Sequence, residues 1–279
     1  MLGRLLARAR PVSAAARGGR AWAHSGAAAA DGGSVCADEV AKFGQLSREW
    51  WSRTGAFKYL HTMNPARVRF IGGILADLGV DPRGSSAVDV GCGGGLAAEA
   101  LGRLGLRVLG VDAAEASVGV ARAHVAEDPM LADRVAYRVA TAEQLVREGA
   151  VFDLVASLEV VEHVADPARF VESLVRLARP GAPIVVSTIN RTPLAYLLDV
   201  ALPEYVLGSV PRGTHDHAKF VPPSDLQRML ADCGADTLAV SGLVLNPLTS
   251  ECHLVDRDCG LLRDAGVQAN YILAARKRA

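Results

Sequence analysis

A parallel, doubly wound α/β sheet is the fold predicted for this chain, on three observations. Apolar segments of strand length alternate with helical segments from residue 87 onward, the order that βαβ units produce. The first of these strands, 87–90, runs into Gly91-Cys92-Gly93-Gly94-Gly95, a turn rich in the residue that tolerates positive φ. Asp112 closes the next strand, 21 positions after Gly91. That layout is a nucleoside-cofactor site, with ligands at the carboxyl ends of the strands.

The elements follow in order. Residues 1–30 hold Arg4, Arg8, Arg10, Arg17 and Arg20, eleven alanines, two serines and no acidic residue. An arginine-rich, acid-free, alanine-rich start has the pattern of a mitochondrial presequence, so the domain proper is expected at 31–279. After a small-residue linker, 37–51 reads as an amphipathic helix. A second helix is expected at 65–78, with Asn64 as its N-cap. Strands are predicted at 87–90, 107–111, 135–139, 152–157 and 184–188, with helices at 96–104, 116–127 and 167–177 between them. A helix at 224–233 capped by Ser224 and two closing strands, 237–241 and 270–275, complete a sheet of seven. There is no internal repeat.

The connection 190–222 is too long for an ordinary loop. It is apolar in patches (Leu194, Tyr196, Leu197, Leu198, Val200, Leu202, Tyr205, Val206, Leu207). An insertion after the fifth strand lies over the carboxyl ends, so it reads as an apolar lid or membrane-contacting helix pair for a lipid-tailed substrate. A helical hairpin packed on the core is the alternative.

Charge and cysteine usage exclude some classes. The chain carries 30 basic and 30 acidic residues. Without the five presequence arginines it holds 25 and 30, net −5, which leaves no basic stripe for a nucleic acid. The five cysteines form no CxxC pair and read as ordinary thiols of a reducing compartment. No apolar run reaches the roughly 18 residues of a membrane span.

The glycine turn departs from the dinucleotide fingerprint. Gly91 and Gly93 fit, but Leu96 stands where a small residue is needed for close helix packing under a pyrophosphate. Asp89 also lies inside the strand, two residues before Gly91. This D-x-G-x-G-x-G form resembles the first motif of class I S-adenosylmethionine methyltransferases. The resemblance implies that the backbone at Gly91 and Gly93 approaches the methionine part of the cofactor. It also implies that Asp112 accepts hydrogen bonds from the ribose hydroxyls.

After the fourth strand come Glu159-Val160-Val161-Glu162-His163. If 159–163 form one helical turn, Glu159, Glu162 and His163 share a face at i, i+3 and i+4. Two carboxylates and an imidazole suit a divalent metal with open positions. A metal on a catechol oxygen would favour the phenolate, whose ordinary pKa is about 10. In the alternative the carboxylates cap helices and His163 acts as a base without metal.

Longer segments carry a more specific resemblance: A-K-F-G-Q-L-S-R-E-W-W (41–51), F-K-Y-L-H-T-M-N-P-A-R (57–67), D-V-G-C-G-G-G (89–95), E-V-V-E-H-V-A-D-P (159–167) and P-R-G-T-H-D-H-A-K-F (211–220). Over roughly 38–275 the chain is similar to the ubiquinone-biosynthesis O-methyltransferases. The resemblance implies a Rossmann-like, mostly parallel seven-stranded sheet and methylation of polyprenylated catechols by S-adenosylmethionine. It places cofactor contacts on Arg67, Gly91, Asp112 and Leu158, beside Asp89 and Gly93 of the motif. It puts magnesium (Mg2+) on Glu159, Glu162 and His163. It further implies peripheral contact with lipid on the matrix side of the mitochondrial inner membrane, within a multi-protein biosynthetic complex. His215 is a second base candidate. The chain departs from the family at Ser52, where an acidic residue is usual, and at 250–260. A methyltransferase for a water-soluble phenol or carboxylic acid, and a non-catalytic scaffold, are the rival readings.

Overall fold

Eight strands pair into one sheet in the computed structural model, which describes residues 33–206, 208, 213–246, 251–256 and 265–279. The expected presequence lies outside the described residues. Strands β1 (Ser86–Val90), β2 (Arg107–Asp112), β3 (Val135–Val139), β4 (Leu154–Leu158) and β5 (Pro183–Ile189) pair parallel with one another. β6 (Ala235–Asn246), β7 (Glu251–Asp256) and β8 (Asn270–Lys277) add antiparallel pairs at one edge, giving the order β3-β2-β1-β4-β5-β8-β6-β7. The strand order reverses beside β1, so the carboxyl ends of β1 and β4 flank a crevice where such folds bind ligands.

The expected seven-stranded sheet is corrected to eight. β6 continues beyond 241 to Asn246, and β7 pairs with it from Ser241↔Asp256 to Asn246↔Glu251. In β7, buried Cys252 alternates with exposed Glu251 and His253, and this one-sided edge strand packs on a helix. Its charged outer positions make the stretch read as loop in sequence.

Helices cover both faces. α1 (Ala37–Gln45) stops short of the expected 51 and passes into a 3-10 turn, Ser47–Glu49. α2 (Lys58–Asp77) begins well before Pro65 and carries it inside the helix. Asn64 is therefore no cap; its Nδ2 donates to the Leu96 carbonyl at 2.9 Å. The turn before α2 is fixed by Phe57 stacked on Trp50, with ring centroids 3.8 Å apart, a tertiary contact that moves the helix start upstream. α3 (Leu96–Arg103), α4 (Glu115–Val125) and α7 (Pro167–Leu177) stand where expected. Between them lie α5 (Pro129–Ala132) and α6 (Ala142–Arg147). α6 opens on a Thr141/Gln144 capping box, a T-x-x-Q signal readable in the sequence. After β5 come one turn of helix, α8 (Pro193–Ala195), and a π-helical segment, Tyr196–Val206. α9 (Pro223–Asp232) starts behind Pro222, and Ser224 makes no cap bond.

The core forms two layers. Ile71, Leu75, Leu101 and Val118 pack beneath α2–α4 on one face; Leu145, Phe170, Leu174, Leu226 and Leu230 pack beneath α6, α7 and α9 on the other. Burying each such side chain contributes about 1.5–3 kcal/mol. These layers hold the carboxyl ends of β1, β2, β4 and β5 in fixed register. Among the described residues no helix is long and apolar enough to cross a membrane.

Candidate active site

The glycine turn is built as a close-approach surface. Gly91 and Gly93 have φ of 77° and 52°, and the amides of Gly91 and Cys92 donate to the Val111 carbonyl at 2.8 and 3.0 Å, tying the turn to β2. A Cβ on Gly93 would stand 2.3 Å from the Trp50 ring, so glycine is required there by conformation and by space. Asp112 braces the same turn: Oδ2 accepts from the Gly93 amide at 2.9 Å and Oδ1 from the Ala114 amide at 2.8 Å. Burial raises the Asp112 carboxyl above its ordinary range, against the pull of those amides. Asp89 is buried on β1, and its Oδ2 has no hydrogen-bond partner. Burial and then the Asp112 charge push its carboxyl up to about 7. A buried acid with an orphan oxygen beside a positive-φ turn is a receptor for a donor or a cation.

Arg67, buried on α2, reaches the end of β4. Its Nη2 lies 2.8 Å from Glu159 Oε1, while Nε is buried without a partner. Glu159 also accepts from Ser187 Oγ at 2.6 Å. Glu162 is buried, accepts from Thr188 Oγ1 at 2.8 Å through Oε2, and keeps Oε1 unpartnered. Burial, followed by the neighbouring Glu159 charge, holds the Glu162 carboxyl well above the usual range. Two acids and one guanidinium thus share a desolvated corner, with one acceptor and one donor left open.

The helical-face expectation for 159–163 is corrected. Glu159 sits at φ 57°, the left-handed region, and only Val161–His163 form a 3-10 turn. The i, i+3, i+4 rule therefore does not apply. His163 Nδ1 pairs instead with Glu39 Oε2 of α1 at 3.1 Å. Among the described residues no group of three or more His, Cys, Asp or Glu side chains is arranged to hold a metal.

All nine expected site residues nevertheless line one cavity of about 1050 Å³: Arg67, Asp89, Gly91, Gly93, Asp112, Leu158, Glu159, Glu162 and His163. Its roof comes from the insertion, through Leu194, Leu198, Leu202 and His215, and from the N-terminal segment, through Glu39, Phe43 and Trp50. The sequence reads the insertion as a lid and offers His215 as a base candidate, but it gives no sign that the N-terminal segment lines the site. Trp51 Nε1 donates to the Gly94 carbonyl at 3.0 Å and Trp50 Nε1 to Ser117 Oγ at 3.1 Å, so the double tryptophan clamps the glycine turn. Glu39 is pulled by His163, Lys42 and Lys219 to about 2, although burial alone would raise it. In the insertion, fully buried Glu204 holds His215: Oε1 lies 3.1 Å from Nδ1 and accepts from the His215 amide at 2.9 Å. Nothing in local spacing signals the Glu39 and Glu204 pairings, which arise from chain reversals.

Comparison with known proteins gives this geometry a family. Residues 88–186 match the family described as "Methyltransferase domain". The ubiquinone biosynthesis O-methyltransferase of Dinoroseobacter shibae is 40% identical over 249 residues, covering 87% of this chain and 96% of its own. The mitochondrial one of Arabidopsis thaliana is 41% identical over 252 residues, covering 88% and 75%. The chain belongs to the ubiquinone biosynthesis O-methyltransferase family. As a member of that family it is an S-adenosylmethionine-dependent methyltransferase. The fold agrees: magnesium protoporphyrin IX methyltransferase from Synechocystis superposes with a TM-score of 0.60 at 19% identity, covering 85% of this chain and 94% of its own. A methyltransferase from Thermotoga maritima gives 0.61 at 17%, covering 86% and 100%.

Proposed function

We propose that this O-methyltransferase transfers a methyl group from S-adenosylmethionine to a ring hydroxyl of a polyprenylated catechol of the ubiquinone pathway, on the matrix face of the mitochondrial inner membrane. One observation carries the reading: the glycine turn, the acidic corner and an apolar roof line a single cavity of about 1050 Å³. That is the upper end of the roughly 300–1,000 Å³ of small-molecule sites, room for a nucleoside donor and an aromatic acceptor together.

In this reading the Gly91–Gly93 backbone and Asp112 seat the nucleoside half of the donor, and Leu158 flanks its adenine. Arg67 takes the donor's carboxylate through its open Nε, and Asp89 faces the donor's cationic end. Catalysis comes mainly from holding the phenol oxygen in line with the sulfonium methyl, in a site lined by Phe43, Trp50 and the insertion. Glu159 and Glu162 would fit a divalent cation by their hard oxygens and the open Glu162 Oε1. Such a cation would supply Lewis acidity that favours phenolate.

The insertion supports the lipid-tailed substrate. Leu194, Leu198 and Leu202 line the cavity, while Leu197 and Val206 are 54% and 72% exposed. Large apolar side chains left in water beside a cavity mouth suit a membrane interface. The localisation reading is supported by the arginine-rich, acid-free residues 1–30 and by the mitochondrial relative.

The test is a substrate series. At about 0.8 kcal/mol per buried CH₂, a catechol with one prenyl unit is expected to exceed its untailed parent in kcat/KM at least tenfold, roughly. L198A/L202A is expected to narrow that ratio. L197S/V206S should keep the ratio but reduce pelleting with anionic liposomes. Equal kcat/KM for tailed and untailed substrates would favour a soluble phenol, and unchanged pelleting would remove the membrane contact.

A further inference from the structure

The insertion holds an acid–imidazole pair that the donor site does not use, a buried acid on a half-buried histidine. Glu204 lies within the π-helical Tyr196–Val206 segment and is 2% exposed. Its carboxylate collects three bonds from one short loop: the Gly213 amide at 2.6 Å, the His215 amide at 2.9 Å and His215 Nδ1 at 3.1 Å. Lys42 of α1 clasps the same loop from the other side, donating to the carbonyls of Gly213 at 3.1 Å and Thr214 at 2.6 Å. The imidazole is therefore fixed in position and tilt. Its Nδ1 is committed to Glu204, its Nε2 has no hydrogen-bond partner among the described residues, and the side chain lines the cavity that holds the acidic corner.

We propose that His215 is the general base that takes the proton from the acceptor hydroxyl, and that Glu204 is its positioning residue. The inference rests on the O-methyl transfer reading above. A nucleophile, a base and a carboxylate that orients the base is the recurrent geometry of proton removal from a weak hydroxyl acid. Glu204 selects the tautomer with hydrogen on Nδ1, which leaves the Nε2 lone pair for the substrate.

The step balances. The phenol O–H bond breaks and its proton goes to His215 Nε2. The oxygen pair forms the new O–CH₃ bond, and the C–S bond of the sulfonium breaks with its pair on sulfur. The products are an ether, a neutral thioether and an imidazolium that later loses its proton to solvent.

The groups around His215 agree with a resting neutral ring. Burial and then the neighbouring His163 lower its proton affinity, and Lys42 acts in the same sense; Glu204 opposes them. The His163 ring lies 6.3 Å away, itself paired with Glu39, and Phe220 closes another side at 6.3 Å. Asp216, next in sequence, is turned away to cap the Ala218 amide at 3.0 Å and takes no part.

Three variants test the assignment. H215N keeps a donor in the place of Nδ1 but has no base at Nε2. It is expected to lower kcat by about 10²- to 10⁴-fold with unchanged affinity for S-adenosylhomocysteine. H215A is expected to lose the same rate and to regain part of it with added imidazole, a recovery that a merely structural histidine would not show. E204Q is expected to lower kcat more than it raises KM for the catechol. It should also move the acid limb of the kcat/KM profile to lower pH, because the charge that raises His215 is gone. Thermal melting and S-adenosylhomocysteine titration check that each variant is folded.

If H215N folds, binds S-adenosylhomocysteine and turns over within about threefold of wild type, His215 is not the base. H163N losing the rate in its place would move the role to His163. Should H215N fail to fold, an E204Q acid limb that stays put overturns the pair. Wild-type protein that binds S-adenosylhomocysteine yet methylates no catechol would refute the transfer reading, and with it this one.

Discussion

Gly93→Ala is expected to lose cofactor binding by roughly a hundredfold or more, because two penalties of about 1–3 kcal/mol each coincide there. The residue sits at φ 52°, where a side chain is strained, and its Cβ would meet the Trp50 ring at 2.3 Å. Trp50 cannot yield freely: it stacks on Phe57 and donates to Ser117. The backbone must shift instead, and that shift pulls the Gly93 amide from Asp112, the bond that aims the carboxylate. Calorimetric titration with S-adenosylhomocysteine reads the loss. A dissociation constant within about threefold of wild type would mean that the turn does not approach the ligand.

Arg67→Met is the second large effect, and it acts on stability as well as on binding. Removing one partner of a buried ion pair typically destabilises by about 3–5 kcal/mol, since the other charge stays desolvated. Here the orphaned group is Glu159, beside a second buried acid, Glu162. The deficit should depend on pH. Arg67 lowers the proton affinity of both Asp89 and Glu162, so without it both rise further above their ordinary values. A carboxyl raised in the folded state binds more protons folded than unfolded. Its stabilisation is therefore fully present at low pH and is lost as pH climbs through the folded value, near 7 for Asp89 in the wild type. The R67M deficit should accordingly be larger at pH 8 than at pH 5 in urea melts. A pH-independent deficit, or one under about 1 kcal/mol, would show that Arg67 is not the neutralising partner of this corner.

Much of this was legible in the chain because it is local. Strand, glycine turn, helix and closing aspartate follow one another within 89–112, and alternation fixes the parallel half of the sheet. What escaped is non-local or disguised. β7 hides behind charged outward positions, and α2 begins upstream of Pro65 because Trp50 and Phe57 stack across the turn before it. The acidic motif at 159–163 was found by residue type, but its assumed helical turn fails at one residue, Glu159, whose backbone is left-handed. The partners that orient the two histidines, Glu39 and Glu204, lie 124 and 11 residues away and follow only from the path of the folded chain.

The most direct measurement is transfer of a labelled methyl group from S-adenosylmethionine to a short-prenyl dihydroxybenzoate by residues 31–279, with the product analysed for label on oxygen. Parallel reactions contain chelator, with and without restored magnesium. The expected result is a labelled aryl methyl ether whose formation stops with chelator and returns with magnesium. Transfer that resists chelation would remove the cation from Glu159 and Glu162 while keeping the enzyme. No label on oxygen, from protein that binds S-adenosylhomocysteine, would contradict the assignment of this cavity to O-methylation of a prenylated catechol.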